Sequence, residues 1–454
     1  MTMNVKPKIS ISTHASNVQA KTDLPFTQEM VRVDGIGQRL RTYRSEAWEA
    51  YKKLPLPDTK MEAWRRTDIH SLDLSAFKLA SMNGSSERVA LPEELLTPLA
   101  DEAHGGQIVL SPDAISQTLD DDLAKRGVIF TDLRSAEAQH KDVLDKIIGS
   151  SISYDEGKFA ALAAALSQNG VFLYVPKGVR VDKPLHSILW GPGKNLAFIT
   201  HLVVWLEEGS EVTYIYEDAS PTEAEGQSMH AGLVEVFAGP ESKLRFVELQ
   251  NWGEHMWNFS HERVKVDRDA TVEWIFASLG SHLTKNFLDL DLTGKGSTGR
   301  MSGFYFTDHD QHLDHDTQQN HYAPNTTSDL LFKGALLGES RSVWQGMIYV
   351  APDAMKTDGY QANRNLVLSR KARADSIPGL EILANDVRCT HGATVGKIDP
   401  DESFYLQSRG IPKRDAEQLI VEGFFDPIMQ RIPFAGVRAR FQAAIHEKMV
   451  SYLG

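Results

Sequence analysis

The chain has 454 residues, enough for about three structural units or for one long solenoid with end pieces. Its 48 Lys and Arg stand against 61 Asp and Glu, a formal charge of −13, which repels polyanions and argues against a nucleic-acid binder that works by counterion release. The single cysteine, Cys389, excludes an internal disulfide and any cage built from several thiolates of one chain, so a metal cluster here would have to be shared.

Residues 1–22 carry no Asp or Glu, are rich in Ser, Thr and Lys and lack an apolar stretch. Residues 1–25 therefore read as a disordered tail, with an organellar transit peptide as the alternative. With one cysteine and no apolar run of 18 residues, a reducing, cytoplasmic setting is expected, or a plastid if the tail is a transit remnant. Residues 26–168 read as a mostly helical domain. Leu40, Tyr43, Ala47 and Tyr51 recur at helical spacing until Leu54-Pro55-Leu56-Pro57 stops them. Lys158 to Leu166, with five alanines, is a second helix, closed by Asn169-Gly170.

Val171 to Val175 opens a different regime, in which β-branched and aromatic runs persist to about Gly410. One unit recurs there: apolar strand, short polar turn, apolar strand. Its turns centre on Gly209, Gly239, Asp269, Lys295, Asn325 and Asp353, at steps of 30, 30, 26, 30 and 28 residues. Sandwich turns recur every ~8–12 residues, so these steps point to stacked β coils over 169–405, each burying its inner face only with its neighbours. The pattern leaves a parallel β-helix and stacked hairpins both open. Residues 406–454 read as a C-terminal helical domain, with the helix pattern returning after Arg409-Gly410. Pro412 suits a first turn, Ala416, Leu419 and Ile420 share an inward face, and Gly423 is expected to stop the helix. A last helix carries Val437, Phe441, Ala444, Ile445 and Met449.

Gly294-Lys295-Gly296-Ser297-Thr298-Gly299 has the glycine spacing of a dinucleotide fingerprint, but Met301 to Phe306 after it reads as a strand, not as the helix that would receive a pyrophosphate. No P-loop is present, and His261-Glu262 and His446-Glu447 each lack the second histidine of a zinc-protease helix. Asp308, His309, Asp310, His312, Asp314, His315, Asp316 and His321 form a dense polar run. These side chains suit a metal, although neighbours on a strand face opposite ways, and a solvated or interface strand with cross-rung hydrogen bonds is the plainer reading. Cys389 and His391, two residues apart on a strand, face one way and offer sulfur and imidazole nitrogen to one ion. The plainer alternative is a small buried thiol beside a hydrogen-bonded histidine.

Cys389-Thr390-His391-Gly392-Ala393-Thr394-Val395-Gly396, followed by Phe404-Tyr405-Leu406-Gln407-Ser408-Arg409-Gly410-Ile411, resembles the SufB/SufD family of the SUF iron–sulfur cluster assembly machine. Gly170-Val171-Phe172-Leu173-Tyr174-Val175-Pro176 and Glu62-Ala63-Trp64-Arg65-Arg66-Thr67-Asp68 are also similar to it, in the same order, over roughly Lys60 to Phe425. The resemblance implies a mainly β chain: a right-handed parallel β-helix flanked by N-terminal and C-terminal helical domains. It implies a non-catalytic scaffold joined to SufB through the β-helices, with a SufC ATPase docked on the C-terminal helices and hydrolysing the ATP. An iron–sulfur cluster or iron would be held transiently and shared with SufB through His391, alone or with Cys389, and none would be bound stably by the isolated chain. A homodimer of the isolated chain is a further expectation, with neither nucleic acid nor membrane as partner.

SufB has a His-Glu-Ala-Thr-Thr pattern where this chain has His391-Gly392-Ala393-Thr394-Val395, and a cysteine on the strand that here reads Gln361-Ala362-Asn363-Arg364-Asn365. Both departures point to the SufD branch, with a SufB-like paralogue as the alternative. Phe424, Phe425 and Pro427, just past the expected helix stop, are the expected ATPase anchors, unless both phenylalanines pack under the last helix against Phe441 and Ile445. A metal-dependent β-solenoid polysaccharide lyase using the Asp308–His321 run is the rival from another class.

Overall fold

The computed structural model describes residues 23–82, 91–96, 104–112, 114–432 and 434–453; the first 22 residues of the expected tail lie outside them. From Val171 onward, successive strands alternate between two facing ten-stranded sheets. The first wall runs from Val171–Val175 through Leu196–Leu206, Ser228–Ala238, Met256–Val266, Leu283–Leu292, His312–His321 and Arg341–Val350 to Arg373–Ile382. The second runs from Leu185–Trp190 through Glu211–Ala219, Lys243–Asn251, Thr271–Ser278, Thr298–Thr307, Thr327–Leu336 and Thr357–Val367 to Val387–Gly396. Pairing within each run is parallel, which excludes stacked hairpins and makes a β-solenoid of about eight turns.

The turns explain the repeat. Each needs a residue in the left-handed region, supplied by Gly209 (φ 65°), Glu241 (58°), Asp269 (56°), Gly296 (76°), Asn325 (58°) and Lys356 (59°). Gly296 thus belongs to a solenoid corner and not to a nucleotide loop, and a side chain on Gly294 would collide with the backbone of Arg268. Inside, the strand registers align residues into columns. One reads Val212, Leu244, Val272, Gly299, Ser328, Gly359, Cys389; its neighbour reads Tyr214, Phe246, Trp274, Met301, Leu330, Gln361, His391. Both columns begin apolar and end polar.

The outer faces are apolar too, and helices cover them. Lys158–Leu166 lies buried along the first wall, its alanines admitting close approach to the strands, and Phe159 stacks on Phe259 at 3.8 Å. Above it, Gln38–Lys53 buries Arg44 completely, paired with Glu137 at 2.6 Å. The N-terminal segment also contributes strands. Gly106–Leu110 pairs with Leu185–Trp190, and Ile129–Asp132 runs antiparallel to Val171–Val175, closing the first rung. On the second wall sit Lys413–Met429 and Ala435–Leu453, where Phe304 meets Phe425 at 4.5 Å and Phe441 at 5.0 Å.

Two expectations are corrected here. The β regime ends at Gly396, not near Gly410: Asp399 caps a helix Pro400–Ser408, with Pro400 in its first turn and Asp401 and Glu402 beside the positive end of its dipole. Gly423 does not stop the following helix, which continues through Pro427 to Met429. A helical glycine costs about 1 kcal/mol, and burial of Phe425, Ile428 and Met429 against the wall outweighs that.

Candidate functional site

Among the described residues the two last strands have a partner on one side only: Arg373–Ile382 pairs with Arg341–Val350, and Val387–Gly396 with Thr357–Val367. Their outer edges present unpaired N–H and C=O groups beside exposed Leu380, Ile382, Leu383 and Val395, the profile of a strand surface that accepts another chain. Cys389 and His391 both continue inward-facing columns onto this terminal rung. Cys389 is half-buried against Ile348, Val350, Ala354 and Ala384. Burial pushes its thiol pKa up, with Asp358 adding to the rise against a backbone hydrogen bond at Gly359. His391 is exposed at the mouth. Among the described residues no three His, Cys, Asp or Glu side chains converge to hold a metal, so the terminal pair is at most part of a site.

The Asp308–His321 run is dispersed by its strand. Asp308 bonds Lys448 of the last helix at 2.6 Å, and His309 occupies a turn with φ 47°. His312 and Asp314 face outward to Thr67 of the N-terminal segment; His312 Nε2 lies 2.9 Å from its hydroxyl, which also donates to Asp314. Asp314 pairs with the fully buried Lys285 at 3.0 Å. His315 points the other way, into the lumen between Phe276 (5.2 Å) and Tyr305 (5.5 Å), and burial lowers its pKa to about 3. The run therefore forms no common groove, which removes the physical basis of the lyase reading. His261 and Glu262 split likewise: His261 stacks on Phe287 outside the wall, while Glu262 joins Asp218 and Glu248 inside. Burial, then mutual repulsion, raises the pKa of Asp218 and Glu248; for Glu262 burial is the leading cause.

The expected ATPase anchor is corrected in part. Phe425 is fully buried and holds its helix to Phe304, so it is core. Phe424 is half-buried under the Lys333 ammonium, 4.5 Å from its ring, and only Pro427 of the three is exposed. The apolar surface lies elsewhere: Phe404 is 71% exposed, Tyr405 57% with the Arg409 guanidinium 5.2 Å above its ring, and Leu419, expected inward, is exposed. Phe404 and Tyr405 open the family-like segment Phe404 to Ile411, but helical periodicity does not show which side they take.

The motif Glu62 to Asp68 is the clasp between the N-terminal segment and the solenoid. Trp64 packs against Phe159, Phe259 and Phe287, and Thr67 reaches the Asp314–Lys285 pair.

The described chain is thus a two-walled parallel β-solenoid with helix-covered faces and a last rung that pairs on one side only. Residues 26–186 match the family "SufBD protein N-terminal region" and residues 189–424 match "SUF system FeS cluster assembly, SufBD core domain". The chain belongs to the SufB/SufD family of the SUF iron–sulfur cluster assembly system. It is 28% identical to the iron-sulfur cluster assembly protein SufD of Bacillus subtilis, over 90% of this chain and 94% of the relative. To SufB of the same organism it is 27% identical, over 90% and 89%. A SufBD family protein of Staphylococcus haemolyticus is 26% identical, over 86% and 85%. No helix among the described residues is long and apolar enough to cross a membrane.

Proposed function

We propose that this chain is the SufD-type, non-catalytic scaffold subunit of a cytoplasmic complex with SufB and SufC. The observation that carries this reading is the terminal rung: two unpaired strand edges, an apolar rim and one sulfur and one imidazole facing the opening. A second solenoid adding strands there would cover the rim and bring its own ligands to His391, alone or with Cys389. Iron or a nascent cluster is then the shared, transient cargo. The isolated chain, with one thiolate, would hold no stable cluster, because four ligands are usual. SufC would dock on the C-terminal helices at the exposed Phe404, Tyr405 and Leu419, and ATP hydrolysis would be its own. A SufB-type role is the second reading, favoured by the near-equal identities to SufD and SufB; the missing cysteine on Thr357–Val367 speaks against it.

Co-purification from the native host with mass spectrometry tests the complex: SufB and SufC are expected together with this chain, and a chain that elutes alone overturns the reading. His391→Ala should fold normally and fail to restore an assembly-deficient strain. Full complementation would remove His391 from the site.

A further inference from the structure

Three guanidinium groups meet where the N-terminal segment closes over the end of the Lys158–Leu166 helix. Arg32 precedes the Gln38–Lys53 helix, Arg44 lies within it, and Arg134 stands in the first turn of the short helix Leu133–Gln139. Arg32 Nη1 donates to the Gln168 carbonyl at 3.0 Å and Arg134 Nε donates to the same oxygen at 2.6 Å, so two cations from separate elements converge on one neutral atom. Arg44 is fully buried beside them, its Nη1 donating to the Arg32 carbonyl at 3.1 Å.

Their charges are not balanced among the described residues. Glu137 takes Arg32 on one carboxylate oxygen at 2.7 Å and Arg44 on the other at 2.6 Å, so both of its oxygens are engaged. Arg134 makes no ion pair among the described residues, and its side chain bonds only Gln168, through the carbonyl and through the side-chain oxygen at 3.4 Å. Asp132, the other carboxylate acting on Arg134, faces the backbone N–H groups of Arg134 and Ser135. Burial, then repulsion from Arg32, lowers the Arg134 pKa to about 10, and burial lowers that of Arg44 as well. A second sign is independent of charge: Arg44 Nε is buried with no hydrogen-bond partner among the described residues. One cation suffices to cap a helix C-terminus, where the dipole is negative, and three around one carboxylate exceed that need. Guanidinium groups withdrawn from water without a counter-charge are costly, and Arg32 keeps 28% of its side chain open to solvent, which gives an anion access.

We propose that Arg32 and Arg134 form an anion site for a phosphoryl group, as free phosphate or as the end of a phosphorylated small molecule, with Arg44 and Glu137 as the positioning residues that hold Arg32. The free donors suit that chemistry. Arg32 Nε and Arg134 Nη1 make no hydrogen bond among the described residues. Guanidinium groups that approach from two elements match a tetrahedral oxyanion, with oxygens in several directions, better than a planar carboxylate, whose two oxygens suit one fork. A bound phosphoryl group ties the loop before Gln38–Lys53 to Leu133–Gln139 and so clamps the N-terminal segment on the first wall. The site is separate from the last rung and does not rest on the assembly reading.

The test uses the full chain and inorganic phosphate, followed by calorimetry and by thermal unfolding against sodium chloride of equal ionic strength. One phosphate per chain is expected to bind saturably and to raise the melting temperature by ~2 °C or more, a rise that chloride does not reproduce. Arg134→Gln should weaken the apparent affinity at least tenfold. Arg134→Lys keeps the charge, loses the paired donors and should weaken it at least threefold, which keeps the test decisive if Arg134→Gln folds poorly. Lys243→Gln, at an exposed cation of the second wall, should change nothing. AMP titrated in parallel separates the sources: tighter binding than phosphate assigns the site to a phosphorylated small molecule, and weaker binding assigns it to free phosphate. No saturable binding, a melting shift that follows ionic strength whatever the anion, or equal affinity in the wild type and the Arg134 variants overturns the proposal.

Discussion

The two ends of the solenoid are built on opposite principles. At the N-terminal end, Ile129–Asp132 and Gly106–Leu110 pair with the first rung, and Phe130 sits edge-to-face on Tyr214 at 6.0 Å, so the apolar lumen is closed. At the C-terminal end the columns turn from Tyr214, Phe246 and Trp274 to Gln361 and His391, and the last edges are left unpaired. The sealed end contributes stability, and the open end is where the proposed shared site would lie, because an unpaired buried polar group carries a cost that an arriving group removes.

The largest effect should fall on the sealed end. Phe130→Ala removes a buried ring from the closing strand and is expected to cost ~3–5 kcal/mol, read as a lower denaturation midpoint at unchanged slope. A loss under ~1 kcal/mol would mean that the closing strand is dispensable and the contrast between the ends is false. Next comes Phe425→Ala, at the low end of the same range, ~3 kcal/mol, since its ring anchors one helix and not a rung. Phe404→Ala with Tyr405→Ala should leave the midpoint within about 0.5 kcal/mol while SufC co-elution is lost. If those two variants exchange behaviours, the docking surface has been placed on the wrong side of the helices.

Thr67→Val tests the clasp. It withdraws a hydroxyl from Asp314 and His312 but leaves the Asp314–Lys285 pair, so ~1–3 kcal/mol should be lost. Limited proteolysis should then release the N-terminal segment sooner than the solenoid. Cleavage at an unchanged rate would show that Trp64 packing alone holds the segment.

Much of this organisation was legible because each rung obeys one local rule. A corner that needs a left-handed residue selects Gly, Asn or Asp, and Gly209, Asp269 and Asn325 marked the ~30-residue period directly. Parallel pairing was not legible, since an alternating strand reads alike whether its neighbour is two or thirty residues away. Nor were Gly106–Leu110 and Ile115–Leu119 visible inside a helical region: five-residue strands, the second mostly exposed, carry too little periodicity. That Cys389 and His391 share a face followed from their spacing; that this face is the lumen depends on registers accumulated over the whole solenoid. Gly423 misled because the value of burying Phe425 is a tertiary quantity.

The lumen itself offers a pH test of the sealed half. Asp218, Glu248 and Glu262 lie inside it, and burial with mutual repulsion raises the pKa of Glu248 well above its unfolded value. Below the unfolded value both states are protonated and the cluster carries no penalty. As pH rises through that value the unfolded chain ionises while the folded one does not, so stability declines with pH. Glu248→Gln removes this titration and keeps an acceptor for Trp274, so its stability relative to wild type should improve steadily from pH 5 to pH 8 in denaturant titrations. A difference that stays constant across that range would show that Glu248 ionises in the folded chain as it does in the unfolded one.

The smallest effect on stability should be at the open end, and there it is the contrast between two readouts that matters. Val395 is half exposed on the last strand, in line with Asn365 and facing no further rung. Val395→Lys adds a charge of the kind that blunts edge strands, and with no neighbour to displace it should change the midpoint by less than about 0.5 kcal/mol. The same lysine would be buried without a counter-ion if a second solenoid stacks on this rung, which is strongly disfavoured, so association with SufB should be lost while the monomer stays folded. Sedimentation of the variant with SufB separates the cases. A complex of wild-type size formed with Val395→Lys would mean that the partner approaches by another face, and the unpaired edges would then need a different explanation.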